Sequence, residues 1–480
     1  MDEYRSTQEV RSSVVDLVQQ MWSKFLRFTE MVLDSVERGV TFQRLQRDVE
    51  DELNELGRLI LQWAIEGADE RLCENADERK DWVIARRGDV KEILTSFGMM
   101  SYRRTYFRHK RTGRHRYLAD EQVGIRPHQR IDTGLKGTLV ERAVEASYHR
   151  SGKWHKRHKS WNVSGQTVMK AIREVELSQS TWEPPEKKRR VPYLFIQADE
   201  DHVGNQDGPR WHPRLVTVHE GVEGPSWRKR LINAQHFGGL YSGRNEALWH
   251  EVWQYLEATY DLEHVAAILV SGDGAAWIRA GCEYIPGSVF VLDRYHASKY
   301  VTKAAANDAW LYGRLWRALE DGDRRGLRAM LHEAAQKAET DNRRMAIEDC
   351  LRYLDRNWDG IMAWQTFRDV WPGCSAEGHV SHVYAARMSS RPMAWRCKGV
   401  DQMSRMRVMA ANGKSVREVY VSQKTQGLPP LRLKEERIQE LRRLISEGRS
   451  LRHMVTYRLP GLEGCSPALR RILKAVVYGC

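Results

Sequence analysis

Residues 194–203 read LFIQADEDHV. Leu194, Phe195 and Ile196 belong in a protein interior, yet Asp199, Glu200 and Asp201 follow almost at once. Burying an unpaired carboxylate is expensive, so this run demands protonation, partners or a cation. The stretch reads as a buried strand with an acidic tip, and the chain around it reads as α/β. Strands are expected at 193–199, 214–220, 230–237, 264–271 and 288–293, with a helix near 246–258.

A second acidic strand end lies in AAILVSGDGAAWI (266–278), where Asp273 follows an apolar run and is flanked by glycines. In open sheets, ligand sites gather just beyond the strand ends. Asp199 and Asp273 therefore share an address, on adjacent strands at one edge of a sheet. Facing carboxylates repel unless a cation neutralises them, and oxygen ligands without His or Cys select Mg²⁺ or Mn²⁺. Two such ions roughly 3.5–4 Å apart can activate a water and stabilise the leaving oxygen of a phosphodiester. Taken singly, an acidic turn and a Gly-Asp-Gly loop are both common. Asp199 and Asp201 fall on one face of a strand, so period alone does not choose between them.

Towards the N-terminus, residues 1–92 read as helical. Val14, Leu17, Met21, Phe25, Phe28 and Val32 recur at helical spacing, as do Leu53, Leu56, Ile60 and Trp63. Stripes of this kind form a helical hairpin or a dimer seam. Residues 93–182 are expected to bind DNA. There, β-formers flank KRTGR with Gly113 at a turn, which predicts a basic hairpin carrying Arg103 and Arg104. A helix then breaks near Asn162–Val163, and Ser164 caps a second one with Val168, Ile172 and Val175 on one face. Helix, short turn and capped helix is the layout of a helix-turn-helix. Lys153, Lys156, Arg157 and Lys159, interleaved with Trp154 and His155, suit phosphates, while Ser164, Gln166, Thr167 and Lys170 sit where bases are read.

The proline-bounded stretch EPPEKKRRVP (183–192) is a linker, and residues 193–297 form the first part of a core. Residues 298–372 read as a helical insertion, with Leu315, Leu319, Leu327 and Leu331 at helical spacing. Residues 373–425 return to the core, and 426–480 are basic and helical. The seven cysteines form no CxxC, which excludes a disulfide framework and a cysteine zinc ribbon. Cys374, His379 and His382 lack a full zinc ligand set. No apolar run reaches the ~20 residues of a membrane helix, and the first residues lack a secretory layout, so a soluble, cytoplasmic protein is expected. The net charge of +13 is concentrated: residues 101–160 hold 16 Lys/Arg and 5 Asp/Glu, which points to a polyanion. A basic surface serving solubility alone is the bland alternative.

The motifs ADEDHV, SGDGAAWI, LDRYHASKY and CSAEGHVSHVYAARMSSRP, in this order, resemble bacterial insertion-sequence transposases of the Lre type. These are also catalogued as an uncharacterised, transposase-like family. The resemblance covers roughly residues 95–410. It implies a multidomain α/β protein: an RNase H-like mixed sheet with a helical insertion, preceded by helical and helix-turn-helix regions. It also implies a DDE triad of Asp199, Asp273 and Glu377 holding Mg²⁺ or Mn²⁺. Asp293 and His296 match an Asp-x-x-His signature, and together with Asp201 they are candidates for supporting the metal ligands. Glu377 follows Ser375, a helix N-cap by pattern, where a carboxylate is favoured with or without metal.

The implied activity is strand cleavage and transfer on double-stranded DNA, at the element's inverted repeats and at target DNA. The expected assembly is a homo-oligomer on DNA in the bacterial nucleoid. Two alternatives stay open: a silent or domesticated DNA-binding protein, and an RNase H-like nuclease without strand transfer.

Overall fold

The computed structural model describes residues 20–21, 23–153, 162–177, 182–225, 229–241, 243, 245–306, 308–439 and 442–443. The chain forms two compact units, residues 1–136 with 424–480, and residues 137–423.

In the first unit, the helix Phe42–Glu74 begins at Thr41, whose hydroxyl accepts the Arg44 N–H. Its last turns bury Ile65, Ala68 and Leu72. Leu53 and Ile60, from the predicted stripe, are exposed. The unit's sheet is β1 (Trp82–Thr95), β2 (Gly98–His109) and β3 (His115–Arg116), antiparallel throughout. The expected turn around Gly113 joins β2 to β3, with Gly113 at φ +67°.

The strand β1 is a departure, since it begins inside the stretch read as helical. Register shifts at Ile84/Arg86 and Arg86/Asp89 break its two-residue alternation, and such bulges conceal a strand from a periodicity reading. Arg104 also differs from expectation. It pairs with buried Asp120 and stacks on the Tyr117 ring at 3.5 Å, so it stabilises the unit rather than facing a partner.

The second unit contains a five-stranded sheet built from β4 (Tyr193–Glu200), β5 (Arg214–His219), β8 (Gln235–Gly239), β9 (Ala267–Gly272) and β10 (Ser288–Leu292). A short ribbon of β6 (Val222–Glu223) and β7 (Arg230–Leu231) stands apart from it. The order is β10-β9-β4-β5-β8, and only β5 runs against the others. The strand expected at 230–237 is thus split between ribbon and sheet. Parallel strands buried on both faces read as continuous apolar runs, which is why β4, β9 and β10 stand out in the sequence. Because β4 is central, Asp199 and Asp273 share the carboxyl ends of the strands rather than a lateral edge.

The helix Asn245–Thr259 covers one face with Leu248, Trp249, Val252 and Leu256. Residues 294–366 form five helices, and Leu315, Leu319, Leu327 and Leu331 are buried in the sheet's own hydrophobic cluster. No strand occurs among the described residues of 305–365. No described helix is long and apolar enough to cross a membrane.

Ser164 caps the helix Gly165–Arg173, its Oγ accepting the Thr167 N–H at 3.1 Å. The helix described before it is Tyr148–Lys153, residues 162–164 are non-helical, and the turn expected between the two helices lies partly outside the described residues. Lys156, Arg157 and Lys159 fall outside the described residues, as do Trp154 and His155. A helical run, Ala376–Met388, contains one π turn at Ser381–Ala385 and is followed by the helix Cys397–Ala411.

Candidate active site

The carboxyl ends of β4, β9 and β10 place three acids in one row. Gln197 pairs with Ser271, so the same register carried two residues on sets Asp199 beside Asp273. Leu292 pairs with Gly272, and Asp293 donates its N–H to the Gly272 carbonyl at 2.8 Å, which sets Asp293 beside Asp273. The glycines have a physical purpose here. A Cβ on Gly272 would lie 2.7 Å from the Ala198 carbonyl, and Gly274 takes φ +86° against Asn357.

Each acid is held differently. Asp199 Oδ1 accepts the Glu200 N–H, and Asp273 Oδ1 accepts the Ala275 N–H, both at 2.8 Å. Burial, reinforced by the nearby Asp273 charge, pushes Asp199 up to about 6. Asp293 caps the helix Arg294–Ala305 through the Tyr295 N–H, and its Oδ2 contacts His296 Nδ1 at 2.8 Å. Burial opposes a charge on His296, but Asp293, Asp199 and Asp273 outweigh it and hold the imidazole above its ordinary value.

Asp199 lies within β4 beside Asp273, whereas Asp201 lies past the end of the strand. Beyond Glu200 the alternation no longer applies. Asp201 is buried and accepts the Ser389 hydroxyl at 2.9 Å and the His202 N–H at 2.8 Å.

Glu377 stands apart from the row. It is half exposed, and both its oxygens lie 3.4 Å from Lys299 Nζ. Ser375 occupies the N-cap position, but its hydroxyl does not cap the helix. Instead its N–H and Oγ both donate to Gln197 Oε1 on β4, at 3.0 and 2.9 Å. The Glu377 segment is therefore stitched to the strand that carries Asp199, two residues upstream. Among the described residues no three His, Cys, Asp or Glu side chains lie close enough together to hold a metal ion. Asp199 and Asp273 are the carboxylates that could hold one hard cation, since Mg²⁺ is commonly bound by one or two carboxylates with water and substrate phosphate completing the shell.

Sequence reading missed the network beneath this segment. Gln197 Nε2 lies 3.0 Å from His219 Nε2, and His236 Nδ1 lies 2.9 Å from Thr217 Oγ1. His379 Nε2 reaches Ser375 Oγ at 2.9 Å, and its ring stands 5.8 Å from that of His236. Burial drives His219 and His236 down to about 4, so both are neutral. The polar Gln197 inside the apolar LFIQA run was the available signal. Lys299 offered none, being 78 residues from its partner. In the capped helix Gly165–Arg173, Ser164, Gln166 and Lys170 are exposed, Thr167 is partly exposed, and Val168, Ala171 and Ile172 are buried. Arg103 is exposed on β2, and Lys153 is exposed at the end of its helix.

Comparison with known proteins places this architecture in a family. The profile of an uncharacterised protein family, UPF0236, matches residues 35–425. A UPF0236 protein of Caldanaerobacter subterraneus subsp. tengcongensis is 39% identical over 398 residues, covering 82% of this chain and 85% of that protein. A second, from the same organism, is 35% identical over 460 residues, covering 94% and 96%, and its name joins eleven designations. A protein of Streptococcus gallolyticus, named for its place in the vanSb 3′ region, is 24% identical over 398 residues, covering 80% and 85%. These relatives carry the family designation and name no activity. On this coverage and identity, the chain belongs to the UPF0236 family.

Proposed function

We propose that the chain is a DDE-type DNA transposase that cleaves element ends and joins them to target DNA. The observation that carries this reading is the pairing of Asp199 and Asp273 at the carboxyl ends of adjacent parallel strands. An antiparallel trio β4, β5, β8 extended by parallel β9 and β10 is the strand arrangement expected of an RNase H-like fold. The Ser164-capped helix, with Ser164, Gln166 and Lys170 exposed, supports DNA reading by the helix-turn-helix expected here. A relative whose name joins eleven designations is what a sequence present in many copies would produce.

Asp199 and Asp273 would hold Mg²⁺ or Mn²⁺, with Glu377 completing the set. The bound ion supplies an activated water and neutralises charge on the phosphodiester. Asp293 orients His296 toward the two acids, whose charges favour its protonated form. Glu377 has to leave Lys299 to join them. An ion pair this exposed contributes only ~0.2–1 kcal/mol, so the exchange is cheap. Freed Lys299 then faces the phosphate backbone.

The separation of Glu377 from the row also favours the second reading, a DNA-binding protein without catalysis. Cleavage of an end-containing duplex in Mg²⁺ separates the two. Asp199→Ala, Asp273→Ala and Glu377→Ala should each abolish cutting while sparing DNA binding, with Asp201→Asn hurting less. Cutting at near wild-type rate by any of the three alanine variants removes that residue from the triad. A wild-type chain that binds but never cuts supports the second reading.

A further inference from the structure

In the first unit, residues 101–116 contain seven Lys/Arg and no Asp or Glu. These cations are not equivalent. Arg104 is half-buried and pairs with buried Asp120, and Arg116 pairs with Glu121 at 3.2 Å and lies over the Trp82 ring. Arg108, Lys110, Arg111 and Arg114 are exposed, and no carboxylate among the described residues pairs with them. All four cluster at the tip of the β2–β3 hairpin. Like charges this close repel, and a polyanion brought from outside would relieve that repulsion.

The tip is also rigid, which a merely solubilising loop does not require. His109 donates its N–H to the Arg114 carbonyl at 2.8 Å and accepts the Gly113 N–H at 3.0 Å. Its ring nitrogen Nδ1 accepts the N–H groups of Arg111 and Thr112, both at 3.3 Å. The same ring packs edge-on to Trp82 at 5.0 Å. Across the strands, His115 stacks on Tyr106 with centroids 4.9 Å apart. A preformed tip loses little freedom on binding, so its charges act at full effect.

Shape narrows the partner. A two-stranded ribbon fits the major groove of B-form DNA, about 12 Å wide. The major groove of A-form RNA is too narrow to admit it. We infer that the β2–β3 tip enters the major groove of duplex DNA, with Arg108, Lys110, Arg111 and Arg114 on the flanking phosphates. This rests on the transposase reading only in taking duplex DNA as the partner, and it adds a contact separate from the Ser164-capped helix.

The test is a salt-series binding titration of the full chain, in EDTA, against a random-sequence DNA duplex and the same sequence as an RNA duplex. The variant replaces Arg108, Lys110, Arg111 and Arg114 with Gln. Because these residues are exposed, unpaired and mutually repelling, the substitutions should not lower the melting temperature. Each phosphate contact contributes about 0.9 to the slope of log affinity against log salt, so the slope on DNA should become shallower by about 3 to 4. RNA binding should change far less. An unchanged slope on DNA, or no binding of DNA by the wild-type chain, overturns the inference. Equal losses on both duplexes overturn the groove assignment. Failure of the transposase reading looks different: cleavage is absent while the wild-type and variant chains still differ on DNA.

Discussion

One face of the second unit's sheet carries two kinds of polar group that met opposite fates. Gln197, Thr217, His219 and His236 lie on it through the β4–β5 and β5–β8 registers, and Asp199 shares it by alternation. The histidine half closes on itself: each ring has a hydrogen-bond partner within the protein, and both are neutral. The acid half does not close. Asp199 and Asp273 repel, and His296 is the basic group beside them that their charges favour protonating. A satisfied buried network is scaffold, whereas a strained cluster of titrating groups at strand ends is the mark of a site.

Acid should break the scaffold half first. His219 and His236 titrate near 4 in the folded chain and near 6.5 when unfolded. Between those values the unfolded state binds more protons, so stability falls as pH drops from about 6.5 towards 4. The loss should be on the order of 3 kcal/mol per ring. Denaturant unfolding at a series of pH values checks it, with His219→Asn/His236→Asn expected to show a flatter profile. An equally steep profile in that double variant would assign the effect elsewhere.

Gln197→Leu should come next, at about 2–3 kcal/mol, because it orphans the Ser375 N–H and the His219 ring together. Asp273→Asn should do the reverse and stabilise the fold by roughly 1–2 kcal/mol, since one of two repelling charges is removed. It should abolish cleavage at the same time, and a fall in melting temperature would contradict the repulsion. Lys299→Met should be the mildest, shifting stability by less than about 1 kcal/mol. If it instead unfolds the chain, the Lys299–Glu377 pair is structural and Glu377 is not free to move.

Much of this contrast was legible in the sequence, and for a reason. Strands β4, β9 and β10 are buried on both faces, so each is an apolar run whose end is punctuated by Asp199, Asp273 or Asp293. Their order in the sheet needed only the parallel connections between them. The histidine network was hidden because its members come from three strands and a distant helix, and single histidines carry no pattern. Bulges concealed β1. Arg104 looked like a surface cation because nothing in YRRTYF announces that Asp120 is buried opposite it. The Lys299–Glu377 pair is a surface event between elements far apart in the chain, and no local rule anticipates it.

The π turn at Ser381–Ala385 has a geometrical consequence for the acid side. Tyr384 within it and Met388 after it are buried in the core, whereas Glu377 precedes it. One residue more in a turn rotates everything upstream by about 100° around the axis, because a regular helix has 3.6 residues per turn. The azimuth of Glu377 is therefore set by that extra residue together with the Ser375–Gln197 bonds, which fix the segment from its other end. Deleting a single residue there would swing the carboxylate to another side of its helix, against those bonds, while every anchor below stayed in place.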